Sequence, residues 1–323
     1  MEMVLQILIL VLGFVCLVKG SDWFVDGAAG IATKFGIPQL IIGLTIVAMG
    51  TSAPEAAVSI TAAFNGSADI TIGNIIGSNI LNVLIILGLS AVVYPLTVEK
   101  STLKIDIPVT IVATVLLFVL GLDGNITRID GIIMLGIFVA YIAFLIVSAK
   151  KAQNQASVAS ENENLSDENA KTEEKPKSIA FLILITIVGL ALVILGSRFV
   201  VSSASFIARK FGLSERFIGL TIVALGTSLP ELFTSVVAAS KKNSDIAIGN
   251  IIGSNLFNIL FVVGLSSLII PVPFSPAFKV DTMVVLASIV AVLLFCLPKK
   301  RLSRVAGGIF LVAYLAYFLL WLV

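Results

Sequence analysis

The feature that most constrains this chain is a 46-residue segment that occurs twice. Residues 43–88 and residues 219–264 agree at 27 of 46 positions. Each copy is an apolar segment interrupted by a proline, a glutamate and several hydroxyl and amide side chains at the same places. The sequence therefore predicts two repeated halves that each carry the same polar element.

Composition places both halves in a lipid bilayer. The 323 residues are 58% hydrophobic and 12% charged, with a mean hydropathy of +1.11, whereas ordinary soluble chains carry about a quarter charged residues. Ten apolar segments have roughly the length, about 20 residues, with which a helix crosses about 30 Å of hydrocarbon. We predict an all-α polytopic membrane protein with ten transmembrane helices, five in each half.

The two predicted halves are separated by a polar segment. Residues 1–149 form the first half and residues 178–323 the second, and residues 150–177 between them are rich in Glu, Asn, Ser and Lys without hydrophobic periodicity. That composition is typical of a disordered linker. Because each half has an odd number of spans, the second half enters the membrane from the opposite side. The prediction is a pair of inverted five-helix repeats.

The distribution of basic residues predicts the orientation. If the N-terminus is outside, the cytoplasmic loops hold 14 lysines and arginines and the outer loops hold 5. This asymmetry satisfies the positive-inside rule. We predict a multi-pass protein of the cell membrane with both termini extracellular and the linker cytoplasmic.

Several function classes are excluded by what the sequence lacks. It has no histidine, which removes histidine-based catalysis and histidine metal ligation. It also has no paired aspartates in its spans, so we predict neither an intramembrane enzyme nor a bound cofactor. Cys16 and Cys296 lie in apolar runs and are predicted to be packing residues. A net charge of +2 argues against a nucleic-acid partner.

The first polar element of each repeat reads GTSAPE at residues 50–55 and GTSLPE at residues 226–231. Pro54 and Pro230 have no N–H and crowd the preceding turn, so backbone carbonyls one turn earlier lose their partners. A kink would account for the proline alone. A carboxylate near mid-bilayer costs on the order of 3 kcal/mol, so two of them at equivalent positions indicate a bound cation.

The second polar element reads GNIIGSNILN at residues 73–82 and GNIIGSNLFN at residues 249–258. Polar residues at i, i+4 and i+8 form one stripe on an otherwise Ile- and Leu-rich helix, and the GxxxG spacing allows close helix packing. The stripes are predicted to lie against the helices that carry the glutamates. Their members are Asn74, Ser78, Asn82, Asn250, Ser254 and Asn258.

If the halves face one another, their polar elements supply only hard oxygen donors. Such donors suit Ca²⁺ and Na⁺ and disfavour Zn²⁺ and Cu²⁺. Two carboxylates balance one divalent ion or a set of monovalent ions, which favours exchange over uniport. The side-chain donors are Thr51, Ser52, Glu55, Ser78 and Asn82 in the first half and Thr227, Ser228, Glu231, Ser254 and Asn258 in the second.

These four motifs closely resemble the α-repeats of the sodium/calcium exchanger family, and the resemblance covers the whole chain. It implies an antiporter that exchanges Na⁺ for Ca²⁺ by alternating access at a carboxylate site near the midplane. It also implies that Glu55 and Glu231 are the shared cation ligands.

The same resemblance implies further ligands. Thr51 and Thr227 would bind Ca²⁺ through their backbone carbonyls, and Asn82 and Asn258 would occupy the central position on the other helix. Potassium-dependent relatives carry aspartate where Asn258 stands, so the resemblance argues against K⁺ co-transport. The implied flanking Na⁺ ligands are the carbonyls of Ala48 and Ala224 together with Ser52, Ser228, Ser78 and Ser254.

Two alternatives stay open at this point. One is a proton-coupled cation exchanger of the same superfamily, in which Glu55 and Glu231 are protonated in the counter-transport step. The other is a cation channel in which the carboxylates form a selectivity ring. Hydroxyls beside each glutamate favour Na⁺ over protons, and inverted repeats with discontinuous helices favour a transporter over a channel.

Overall fold

The structure, a computed structural model, describes residues 2–163, 178–212 and 224–322. The first half contains α1 (Glu2–Phe35), α2 (Gln39–Thr51), α3 (Ala53–Phe64), α4 (Asp69–Val93), α5 (Thr102–Leu120) and α6 (Arg128–Glu163). The second half contains α7 (Ile179–Lys210), α8 (Ala224–Thr227), α9 (Leu229–Ser240), α10 (Ser244–Ile269), α11 (Pro276–Cys296) and α12 (Arg304–Leu322). Four of the loops between these helices contain a two-residue strand: β1 (Leu96–Thr97), β2 (Asn125–Ile126), β3 (Val272–Pro273) and β4 (Arg301–Leu302).

The length and composition of the helices fit a membrane protein. Seven of the described helices are long and apolar enough to cross a bilayer, and the bent pair α2 and α3, with 49° between its members, makes an eighth. Helix α9 and most of α12 are shorter apolar helices. An integral, multi-pass, mostly helical membrane protein is confirmed. The predicted count of ten spans remains a prediction.

Helices α4 and α10 form the centre of the molecule. Most of their residues are buried, whereas α1, α6 and α7 expose many of their large apolar side chains. Outward-facing apolar side chains are expected where lipid rather than water surrounds the protein. Helix α3 packs on α4, helix α9 packs on α10, and α2 crosses between the halves to pack on α10. The polar elements of both repeats therefore lie in the most enclosed part of the fold.

Helices α1 and α7 pack against each other in antiparallel fashion through small residues. Gly13 lies beside Gly196, and Gly20 lies beside Gly189 further along the pair. A Cβ atom added at Gly20 would be 2.8 Å from the carbonyl oxygen of Gly189. Larger side chains would therefore separate the helices, as is usual for small-residue contacts between membrane helices.

Two short antiparallel strand pairs join the halves at their loops. Strand β1, which follows α4, pairs with β4, which follows α11. Strand β2, which follows α5, pairs with β3, which follows α10. Each pair thus connects a loop of the first half to a loop of the second.

Helix α6 continues beyond the predicted end of the first half. The sequence predicts disorder from residue 150, but the helix runs to Glu163. The residues after 149 include many Ala, Gln, Lys and Glu, which are good helix formers. The start of the predicted linker is therefore helical, and residues 164–177 lie outside the described residues.

Each half contains a tyrosine that donates to an aspartate. Tyr141 Oη donates to Asp106 Oδ1 at 2.9 Å, and both side chains are buried. Tyr317 Oη donates to Asp281 Oδ1, also at 2.9 Å, and both of these residues are half-buried. The pairs tie α5 to α6 and α11 to α12. The repeat motifs gave no indication of them.

We expect Tyr141→Phe to destabilise the protein by about 1 kcal/mol, because it leaves the buried Asp106 without this donor. Thermal unfolding in detergent, in the absence of transported ions, measures the effect. Tyr317→Phe is the matched control and should lower the melting temperature less, because Asp281 is only half-buried. Equal shifts for the two variants would contradict this interpretation.

Candidate cation site

Both repeats break their helix at the same serine. Ser52 (φ −82°, ψ 6°) separates α2 from α3, and Ser228 (φ −88°, ψ 3°) separates α8 from α9. Pro54 and Pro230 lie in the first turn of the following helix, where a missing N–H is tolerated. The discontinuity that the proline motifs predict is therefore present in both halves.

Glu55 lies at the start of α3 and is fully buried. Its Oε1 atom accepts from Ser78 Oγ on α4 at 3.3 Å and from Ser228 Oγ, at the break of the other half, at 3.2 Å. The hydroxyls of Ser78 and Ser228 are themselves 3.1 Å apart. The first carboxylate thus receives hydrogen bonds from both halves of the chain.

Glu231 is also fully buried, at the start of α9. Its Oε1 atom accepts from Ser52 Oγ, at the break of the first half, at 2.7 Å. Each glutamate therefore accepts a hydrogen bond from the serine at the helix break of the other half. This crossed arrangement brings Ser52, Glu55, Ser78, Ser228 and Glu231 into one buried cluster.

The first asparagine of each stripe holds the carboxylate helix in place. Asn74 Nδ2 donates to Ser59 Oγ at 2.9 Å and to the Glu55 carbonyl at 3.2 Å, which ties α4 to α3. In the second half Asn250 Nδ2 donates to Ser235 Oγ at 2.8 Å, which ties α10 to α9. The prediction that the stripes lie against the glutamate helices is therefore confirmed for their first asparagines.

Helix α10 also approaches the first half's broken helix closely. Ser254 Oγ donates to the Ala48 carbonyl at 3.4 Å, and Thr51 Oγ1 donates to Asn250 Oδ1 at 3.0 Å. A Cβ atom at Gly253 would lie 2.5 Å from the Leu44 carbonyl oxygen. Glycine is therefore required for α10 to reach the carbonyls of α2.

The central asparagines Asn82 and Asn258 are fully buried and pair with two further asparagines. Asn82 Nδ2 donates to Asn255 Oδ1 at 3.0 Å, and Asn258 Nδ2 donates to Asn79 Oδ1 at 3.1 Å. The stripe pattern missed Asn79 and Asn255, which lie one residue after the stripe serines. Their recurrence within both GSN triplets was the available signal.

Helices α4 and α10 each contain a π-helical turn, which is wider than an α-helical turn, at their central asparagine. Asn82 begins a π-helical segment (Asn82–Leu87) in α4, and Asn258 belongs to another (Phe257–Val263) in α10. Such segments are frequent at functional sites. The equivalence of the two halves therefore extends from sequence to an uncommon local geometry.

In the part of the chain that the structure describes, four buried carboxylate and amide oxygens of this region have no hydrogen-bond donor. They are Glu55 Oε2, Glu231 Oε2, Asn82 Oδ1 and Asn258 Oδ1, two pairs of equivalent atoms. Buried acceptors are normally satisfied, because desolvation without a partner is unfavourable. All four are hard oxygen donors of the kind that Ca²⁺ and Na⁺ prefer. Their chemistry fits a cation.

The remaining predicted residues lie around the second break. Thr227 ends α8 and is half-buried, and the backbone of Ala224 begins the same helix. Ser197 Oγ on α7 donates to the Gly226 carbonyl at 2.6 Å. The equivalent serine of the first half, Ser21, is buried, and its hydroxyl has no partner among the residues described. The two halves therefore differ in the contact between the first helix and the break.

The candidate site combines two carboxylates with neutral oxygens, so it differs from a cluster of acidic side chains. Within residues 2–163, 178–212 and 224–322, no group of three or more His, Cys, Asp and Glu side chains could hold a metal ion. Hydroxyls, amides and carbonyls supply the other oxygens. Such a set of hard oxygens suits partly dehydrated Ca²⁺ or Na⁺.

Comparison with known proteins identifies relatives along the whole chain. The sequence profile of the family described as sodium/calcium exchanger protein matches residues 5–147 and 181–323. The putative antiporter CaxA of Alkalimonas amylolytica is 39% identical over 320 residues, which cover 98% of each chain. The sodium/calcium exchanger MaX1 of Methanosarcina acetivorans is 33% identical, and 96% of each chain is covered.

The fold has a close counterpart among solved structures. The sodium-calcium exchanger NCX_Mj superposes with a TM-score of 0.83 at 33% identity, over 98% of both chains. These relatives are antiporters and exchangers rather than enzymes, so the prediction of a cation antiporter is confirmed. The chain belongs to the sodium/calcium exchanger protein family.

Proposed function

We propose that this protein exchanges Na⁺ for Ca²⁺ by alternating access, at a site near the membrane midplane shared by Glu55 and Glu231. The observation that carries the proposal is the set of four buried oxygens without donors, two from these carboxylates. A cation supplies the missing partner and compensates the buried charge. One Ca²⁺ balances both carboxylates, and Na⁺ ions can replace it.

The flanking ligands are assigned by their contacts with the carboxylate cluster. Ser78 and Ser228 touch Glu55, and Ser52 touches Glu231. Ser254 touches the Ala48 carbonyl. We assign to Na⁺ the hydroxyls of Ser52, Ser228, Ser78 and Ser254 and the carbonyl of Ala48, and we add the carbonyl of Ala224 because it is the equivalent of Ala48 in the second repeat.

The central ligands complete the site. We assign the backbone carbonyls of Thr51 and Thr227 to Ca²⁺, since each immediately precedes a helix break. Asn82 and Asn258 each add an amide oxygen that has no other partner. The assignment uses two carboxylates and neutral oxygens, so charge balance limits the site to one divalent ion at a time.

The proposal includes ten transmembrane helices in two inverted halves. The antiparallel packing of α1 and α7, the equivalent first helices of the two halves, supports the inversion. The pairing of β1 with β4 supports it too. The β1 loop follows the third predicted span of its half and the β4 loop follows the fourth, and these loops lie on the same side of the membrane only if the halves are inverted. The distribution of basic residues supports extracellular termini and a cytoplasmic linker.

Coupling to Na⁺ rather than to protons is supported by the hydroxyls around the carboxylates. A proton on a carboxylate needs no oxygen cage, whereas Na⁺ does. Ser52, Ser78 and Ser228 supply part of such a cage around the two glutamates. The names of MaX1 and NCX_Mj as sodium-calcium exchangers support the same choice.

Sealed vesicles containing the purified protein and loaded with Na⁺ are expected to take up radiolabelled Ca²⁺ from a Na⁺-free medium. Uptake should collapse when the Na⁺ gradient is removed, because outward Na⁺ movement drives it. Protein-free vesicles are the control. Equal uptake driven by a pH gradient alone would favour the proton-coupled exchanger, and uptake without any counter-ion gradient would favour a channel.

Glu55→Gln and Glu231→Gln should each reduce Ca²⁺ uptake at least about tenfold, because each removes one of two charges that compensate the ion. The measurement is the initial rate of Na⁺-driven uptake at several Ca²⁺ concentrations. Asp281→Asn is the matched control: it removes a carboxylate bonded to Tyr317, outside the cluster, and should leave the rate within about twofold. Near-normal flux in either glutamate variant would exclude the shared site.

Potassium should not alter Na⁺-driven Ca²⁺ uptake, because the position of Asn258 carries an amide and not a third carboxylate. The uptake rate is compared with K⁺ present or replaced by choline on both sides, with the membrane potential clamped to zero. A requirement for K⁺ on the Na⁺-loaded side would contradict the prediction.

A further inference from the structure

We propose that Asn79 and Asn255 are positioning residues, which orient the amides of Asn82 and Asn258 so that their oxygens serve as cation ligands. This inference rests on the proposed function and concerns how its central ligands are held. Both residues are almost completely buried, at 1% and 0% exposure. Neither belongs to the predicted ligand set.

The four asparagines form two pairs that cross between the halves. Asn79 of α4 pairs with Asn258 of α10, and Asn82 of α4 pairs with Asn255 of α10. In each pair the site asparagine is the donor and the positioning asparagine is the acceptor. The two pairs are equivalent under the internal repeat, but their acceptors are held differently. Asn79 Nδ2 donates to a backbone carbonyl, whereas Asn255 Nδ2 has no partner among the described residues, so the orientation argument is strongest for Asn79.

The orientation of Asn79 is set by a backbone group. Its Nδ2 donates to the carbonyl oxygen of Asn255 at 3.4 Å, and a carbonyl can only accept. The other edge of the Asn79 amide is therefore its oxygen. That oxygen accepts from Asn258 Nδ2, so Asn258 must turn its own oxygen to the opposite side.

That opposite side belongs to the cation site. Asn82 lies one helical turn beyond Ser78, which donates to Glu55, and residues four apart share a helix face. Asn258 lies one turn beyond Ser254, which donates to the Ala48 carbonyl. The amide oxygens of Asn82 and Asn258 have no donor, as expected of atoms reserved for a cation.

Removing the acceptor would free the amide to rotate. An asparagine presents an oxygen on one edge and two N–H donors on the other, and N–H groups repel a cation. Without Asn79, the Asn258 amide can present either edge to the ion. Partners that orient metal ligands typically change metal affinity by about 10- to 100-fold when mutated.

The test compares Asn79→Leu, which removes the acceptor with little change in size, with Asn79→Asp, which retains an acceptor oxygen for Asn258. We expect Asn79→Leu to raise the half-saturating Ca²⁺ concentration about tenfold or more with little change in the maximal rate. Asn79→Asp should leave that concentration unchanged or lower it. The melting temperature without ions shows whether each variant folds.

A double-mutant cycle separates positioning from simple helix packing. If Asn79 acts through Asn258, then Asn79→Leu adds nothing to the affinity loss of Asn258→Leu. The matched control is Asn74→Leu, which removes a half-buried amide that contacts α3 instead. Its effect should add to that of Asn258→Leu. If Asn79→Leu does not fold, the same double-mutant cycle is measured on the equivalent pair, with Asn255→Leu and Asn82→Leu.

Additive effects of Asn79→Leu and Asn258→Leu, or a lower maximal rate at unchanged half-saturation, would overturn the proposal in favour of a packing role. Ca²⁺-dependent stabilisation of the purified protein distinguishes this failure from failure of the proposed function. If Glu55→Gln abolishes the stabilisation and Asn79→Leu leaves it intact, only the positioning role is wrong. If the unmodified protein is stabilised by neither Ca²⁺ nor Na⁺, both proposals are wrong.

Discussion

The structure depends on holding two carboxylates in the interior of a membrane protein. Glu55 and Glu231 are fully buried, where a charge costs on the order of 3 kcal/mol even on lenient scales. One oxygen of each is bonded to serine, and the other has no protein donor. Broken helices, close glycine contacts and buried amides bring the two groups into one oxygen-rich region. In the function proposed here, a bound cation compensates the same unfavourable charge.

Neither half of the chain builds this site alone. The serine at each helix break bonds to the other half's glutamate, and α10 reaches the carbonyls of α2 only because Gly253 has no side chain. The asparagine pairs cross in the same way. Interdependence of this kind couples the two halves, so that a rearrangement in one changes the ligands available to the other.

The parts of the site that local chemistry forces were predictable from sequence. A proline in an apolar helix predicts a break, and the break at Ser52 precedes Pro54 as expected. The compensating ion that Glu55 indicates stays a prediction. Contacts that depend on how helices meet were not predictable. Asn79 lies off the i, i+4 stripe, so only the packing of α4 against α10 reveals its partner. Tyr141 and Asp106 likewise required the packing of α6 on α5.

The two halves carry the same motif but do not hold it identically. Ser197 donates to the carbonyl of Gly226, whereas the equivalent Ser21 donates to none. A transporter built from two interchangeable halves can open toward one side only when the symmetry between them is broken. Such a protein needs no second set of residues for its second state: exchanging the conformations of the halves is enough. Under the proposed alternating access, Ser21 and Ser197 would exchange these two environments when the halves exchange conformations.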